Sequence, residues 1–261
     1  MRGFLYSVMN KSFFPPVWSR QHGAYITLIT CWVLNVILSN SFSLIQIWVI
    51  LFLLAGFNFV ELWAEKNKRK SPMPGRKMNW LYIYLLISMS TGVFILFKVA
   101  LFLYTIPFFI GFGALFIFLV SRRMEKSFVA EWMIFAVFSL ASCLAYNPQN
   151  EISWMKIASN VFLCSLYFGT SICTVKYRML KMNITKGLIY VICSILILSF
   201  FYQNLWVILP IGIFMLIKGL VPVMIKEDFM AWPIPKIGKM EAVYHVLYVI
   251  LIIVLRPLLI S

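Results

Sequence analysis

Residues 42–65 read FSLIQIWVILFLLAGFNFVELWAE. From Phe42 to Val60 no charged side chain occurs, and then Glu61 and Glu65 follow four residues apart. About 20 apolar residues carry an α-helix across the hydrocarbon core of a bilayer. The stretch is therefore expected to be a membrane span whose polar end holds two carboxylates. Directly after it comes EKNKRKSPMPGRKMN (65–79), with six basic residues and Pro72, Pro74 and Gly75. Proline and glycine at that density favour a loop.

The same alternation of apolar run and polar break repeats along the chain. Spans are expected at about 23–39, 42–63, 80–97, 100–120, 128–146, 153–175, 187–202, 205–222 and 241–260. Lys98, Asn147-Pro148-Gln149-Asn150, Gln203-Asn204 and KEDFMAWPIPKIGK (226–239) mark four of the turns. Every span is expected to be a helix, because an open strand edge leaves backbone groups unsatisfied in hydrocarbon. The fold class is all-α: a polytopic bundle of about nine spans forming one domain over 1–261. Residues 1–21 form a short interfacial segment, with Phe13, Phe14 and Trp18 at headgroup level. Composition agrees, since 62% of the 261 residues are hydrophobic and 12% charged, against roughly 45–50% and 25% in soluble domains. Mean hydropathy is +0.92. A water-soluble globule is excluded.

The 23 basic and 8 acidic side chains give a formal charge of +15. In a soluble protein that excess would point to nucleic acid, but concentration of Lys and Arg in cytoplasmic loops accounts for it here. With the N-terminus inside, the cytoplasmic segments collect 3, 6, 3, 4 and 4 basic residues, and the other face receives only Lys98, Lys156 and Arg256. The C-terminus then lies outside. The cysteines (Cys31, Cys143, Cys164, Cys173, Cys193) sit in apolar stretches with no CxxC pair; they are expected to be small buried hydrophobes, with no metal site. Asp228 is the single aspartate, which excludes paired Asp-rich motifs. No cofactor is expected. Gly111 and Gly113 hint at a bend or a close helix contact.

The remaining polar residues are few enough to weigh singly. Asn58, Glu61 and Glu65 share one helix face. Glu61 is either a proton-accepting or cation-assisted group at the cytoplasmic mouth, or it pairs with Lys66, Lys68 or Arg69. His22, before Gly23, either orients a ligand or is an interfacial histidine at a helix start. Arg122, Arg123, Glu125, Lys126 and Glu131 surround the turn between spans four and five; most such residues are anchors, with Glu131 inside span five. Lys176 and Arg178, ending span six, either hold an anionic headgroup or anchor the helix. Glu241 is expected to complement a helix N-terminus, and His245 to be a satisfied core residue.

Ser19-Arg20-Gln21-His22-Gly23-Ala24-Tyr25 resembles the opening signature of the YwiC-like family of bacterial membrane proteins. Arg122-Arg123-Met124-Glu125-Lys126-Ser127 with Ala130-Glu131, Thr174-Val175-Lys176, and Ile237-Gly238-Lys239-Met240-Glu241 fit the same family. The resemblance implies a multi-pass protein of the bacterial cytoplasmic membrane. A more distant likeness is to the UbiA prenyltransferase superfamily, which has nine helices in this orientation and active-site loops after helices two and six. That likeness would imply Mg2+ and an isoprenyl diphosphate held by Asp-rich motifs. Here Asn58, Glu61 and Glu65 form a partial first motif, whereas Lys176, Arg178 and Lys181 replace the acidic residues of the second. Metal-dependent prenyl transfer is not expected, since departure of diphosphate normally needs the metal. Whether the protein is an enzyme stays open; any activity would be a UbiA-like transfer on a lipid.

These readings lead to an amphiphile-binding scaffold for an isoprenoid, quinone or lipid-type ligand. Its partners are then the lipid bilayer and that ligand, with no nucleic acid. Glu61 and His22 are the candidate catalytic or proton partners. Asn58, Glu61, Glu65, Arg122, Glu131, Lys176 and Arg178 are the candidate ligand contacts. The alternatives are a small-solute transporter or a non-catalytic membrane accessory subunit.

Overall fold

The computed structural model describes residues 16–17, 22–39, 43–68, 72–98, 100–122, 124, 127–143, 154–179 and 182–260. Most of the 1–21 segment, Arg123, Glu125, Lys126, the 147–150 break and Lys181 lie outside the described residues, as does the side chain of His22. Among the described residues ten helices follow one another: α1 His22–Leu38, α2 Leu44–Lys68, α3 Gly75–Lys98, α4 Ala100–Ser121, α5 Phe128–Ser142, α6 Trp154–Arg178, α7 Ile184–Phe201, α8 Leu205–Met224, the short α9 Lys226–Ala231, and α10 Ile234–Ile260. No strand occurs among the described residues. α2, α3, α6, α7, α8 and α10 are long and apolar enough to cross a membrane, while α1, α4 and α5 contain shorter apolar stretches. The chain is a multi-pass helical membrane protein, with about nine spans.

Several helices run further than the apolar runs suggest. α2 continues to Lys68 and α3 starts at Gly75, so the 65–79 stretch is loop only at its centre. Lysine-bearing turns satisfy their backbone as well outside the bilayer as inside it, and Lys77 donates to both Glu65 carboxylate oxygens at 2.6 and 2.7 Å across the two helix ends. The expected 226–239 loop is likewise α9 plus the first turn of α10. Pro235 fits there because the first turn of a helix needs no N–H donor.

α6 is the central element. It packs on α1, α5, α7 and α8, and its residues 163–174 are all buried. Enclosure by protein explains why this span tolerates Ser165, Thr170, Ser171 and Thr174: small polar residues allow close packing and bond within the bundle. A Cβ on Gly169 would lie 1.8 Å from Tyr190 Oη, so glycine is what lets α7 approach. Around α6, one group of helices (α2–α5) and another (α7, α8, α10) are joined through α1. Leu28, Cys31, Leu163, Cys164, Phe168 and Ile252 belong to the shared core.

Three expectations change. Cys31, Cys143, Cys164 and Cys173 are buried, but Cys193 is exposed on α7, on a face that no other helix covers among the described residues. Gly111 and Gly113 make no close contact; nothing lies within 4 Å of a Cβ built on either. Lys218, counted above among the cytoplasmic loop cations, is inside α8 and 0% exposed.

Candidate functional site

Three polar positions at the end of α2 take different roles. Asn58 is buried; its amide donates to Leu54 O at 2.8 Å, and Tyr25 donates its hydroxyl hydrogen to Asn58 Oδ1. Asn58 thus ties α1 to α2. Glu65 is joined to Lys77 of α3. Glu61, between them, is half-buried and lines a cavity of about 300 Å³.

The cavity lies among α2, α3, α4 and α5. Its wall includes Phe52, Phe57, Ser88, Phe112, Gly113 and Phe138. Phe52, Leu53, Gly56, Phe57, Phe59, Val60 and Glu61 of α2 contribute, so the space follows that helix for about 14 Å. Gly113 makes the cavity partly by omission, since any side chain there would project into open space. Aromatic edges stiffen the wall: Phe57 meets Tyr25 edge-on at 5.2 Å and Phe138 at 5.7 Å. Val60 lines the cavity and is also exposed, which opens it sideways. Among the described residues that line it, Glu61 is the one charged side chain. Such a shape accepts an apolar body and offers one carboxyl group to a polar head.

The other candidates stand apart from this wall. Glu131 Oε2 is 3.1 Å from Lys176 Nζ, bridging α5 to α6 with Lys176 buried. Arg178 donates from Nε to Trp232 O at 3.1 Å and so holds the turn before α10. Arg122 is exposed beside the Phe118 ring, 5.4 Å from its centroid. Of the candidates whose side chains are described, Glu61 lines the cavity, while Glu131 and Lys176 pair with each other.

A second polar cluster escaped the sequence reading. Lys218 Nζ lies 2.9 Å from Glu241 Oε2 and donates to Ser171 Oγ at 2.5 Å. Its ammonium also sits over the Tyr167 ring, 4.3 Å from the centroid. Tyr167 is within hydrogen-bond distance of His245 Nδ1, at 3.0 Å. Glu241 therefore neutralises a buried lysine and does not merely complement a helix end. His245 is the satisfied core residue expected, with a charged pair beside it. A lone lysine inside an apolar span was the available signal, since intramembrane charges are costly and usually partnered.

The family model of YwiC-like proteins matches residues 18–146. Over that stretch the chain is similar to YwiC-like proteins. The YwiC-like segment runs from before α1 to beyond α5 and so contains all four cavity helices. The Ser19–Tyr25 signature falls within it, and its Tyr25 braces the cavity wall through Asn58 and Phe57. The Lys218 cluster lies outside the matched stretch. No curated protein and no solved structure matches this chain.

Proposed function

We propose that this YwiC-like membrane protein binds an amphiphile in the α2–α5 cavity, with Glu61 facing its polar head. The observation that carries the reading is an apolar, laterally open cavity with a single carboxyl side chain at one end. About 300 Å³ stands at the lower limit of small-molecule pockets. That volume suits a quinone ring or a few isoprene units, with the remaining tail leaving past Val60 into lipid; it does not suit a whole two-chain phospholipid. A protonated Glu61 would donate to a quinone or alcohol oxygen, and an ionised one would accept from a hydroxyl. The scaffold is read as a degenerate UbiA-like one, supported by its count of apolar helices and by carboxylates ending α2. The membrane is taken to be the bacterial cytoplasmic one, N-terminus inside, supported by the skew of basic residues.

The test is extraction of the purified protein and identification of what travels with it. An isoprenoid or quinone, depleted in Glu61→Gln, supports the reading. Equal recovery from the wild type and from Glu61→Gln removes the role assigned to Glu61.

A further inference from the structure

We propose that Lys218, Glu241 and His245 form a proton-binding site in the bundle core, reached by water from one membrane face through a crevice between α6, α7 and α8. The site is separate from the amphiphile cavity, and either can stand without the other.

Position comes first. Ser171 is seven residues from the end of α6, Lys218 six from the end of α8, and Glu241 seven from the start of α10. At helical rise each lies about 9–11 Å inside its helix. Three helices therefore bring their polar groups together inside the bundle, more than one turn from each helix end. Lys218 is 0% exposed. An apolar pair of similar volume would hold the helices as well, because burial of an ion pair costs about as much as the attraction returns. Retention of charge at this depth points to use.

Access comes second. A crevice of about 30 Å³ is lined by Cys173, Thr174, Asn183, Gly219 and Pro222 among others. That is room for a water molecule or two. Its wall adjoins the charged pair: Gly219 follows Lys218 in sequence, and Cys173 lies within electrostatic reach of the lysine. Pro222 has no N–H to give the Lys218 carbonyl one turn back, which leaves that oxygen available to water. Asn183 is exposed and caps the start of α7, so the crevice opens at the α6–α7 turn.

Closure on the other side comes third. Tyr167 and Tyr248 stack with centroids 3.6 Å apart and planes within 7°. Leu163, Ile211 and Ile252 are buried in the same core cluster. Water arriving by the crevice thus meets an aromatic floor.

The groups facing the pair are Tyr167, Ser171 and Cys173 from α6, and Tyr244 and His245 from α10, while α7 meets Gly219 of α8 with Val191. Lys218 and Ser171 both approach the Glu241 carboxylate, and two donors do not fill the roughly four lone-pair sites of its oxygens. The carboxylate therefore has a lone pair to offer. Loading adds a proton from water to a Glu241 oxygen, leaving a neutral carboxyl beside the ammonium and raising the net charge by one. Release returns that proton to water, and only the O–H bond forms and breaks. His245 lies within electrostatic reach of both charges and is held by Tyr167.

Infrared difference spectra of the full-length protein in sealed liposomes, stepped from about pH 7 down to about pH 3 because the adjoining ammonium favours the ionised carboxylate, test this. A protonated-carboxyl band should grow on acidification, vanish in Glu241→Gln, and shift by about one pH unit or more in Lys218→Met. It should respond to the pH on one face only. Should Glu241→Gln not fold, Lys218→Met/Glu241→Gln leaves no buried charge and should also lack the band. A band that survives these variants, that forms equally from either face, or that is missing from the wild type overturns the proposal.

Discussion

Tyr25 donates its hydroxyl hydrogen to Asn58 Oδ1 across the α1–α2 contact. The bond places a residue of the YwiC-like opening signature one turn from Glu61 and against Phe57 of the cavity wall. Tyr25→Phe keeps the ring and removes the donor. It should cost about 1 kcal/mol, read as a lower unfolding temperature in detergent, and should loosen ligand binding less than a change at Glu61.

The Lys218–Glu241 pair predicts a sign that single variants hide. Lys218→Met alone strands a buried carboxylate and should destabilise by about 3–5 kcal/mol. Lys218→Met/Glu241→Leu removes both charges and should recover most of that loss. Denaturation of the two variants side by side checks it; additive losses would mean that the residues do not interact.

Topology makes a further prediction. With endogenous Cys193 changed to serine, since it is exposed, a cysteine at Gln203 should react with an impermeant maleimide added outside intact cells. A cysteine at Asn183 should react only after permeabilisation. The reverse pattern would invert the bundle.

The spans were legible because a bilayer demands apolar length, and each run from 42–65 onward meets that demand or nearly so. Helix ends were not: Lys66, Lys68 and Lys77 look like loop, yet helical turns continue past the apolar run wherever polar side chains meet water. Glu61 was visible as a charge ending an apolar stretch. Its cavity was hidden, because Gly113 and Phe138 are brought to it by packing and glycine looks the same in a bend, a contact or a void. Lys218 was misplaced because a tally of cations carries no depth. Its partner Glu241 stands 23 residues later, beyond a turn whose shape spacing alone does not give. Glu131 and Lys176 each looked like local anchors, and their bridge depends on α5 lying against α6.

The most direct measurement is equilibrium binding of decylubiquinone and geranylgeraniol to the detergent-purified protein, followed by native mass spectrometry, in wild type, Glu61→Gln and Gly113→Leu. A side chain at position 113 enters open space, so Gly113→Leu fills the cavity without straining the fold. The account predicts a one-to-one complex with at least one probe. Gly113→Leu should weaken it tenfold or more, about 1.4 kcal/mol, and Glu61→Gln should weaken it too while both variants keep wild-type unfolding temperatures. Unchanged binding in Gly113→Leu, or no complex with either probe, would contradict it.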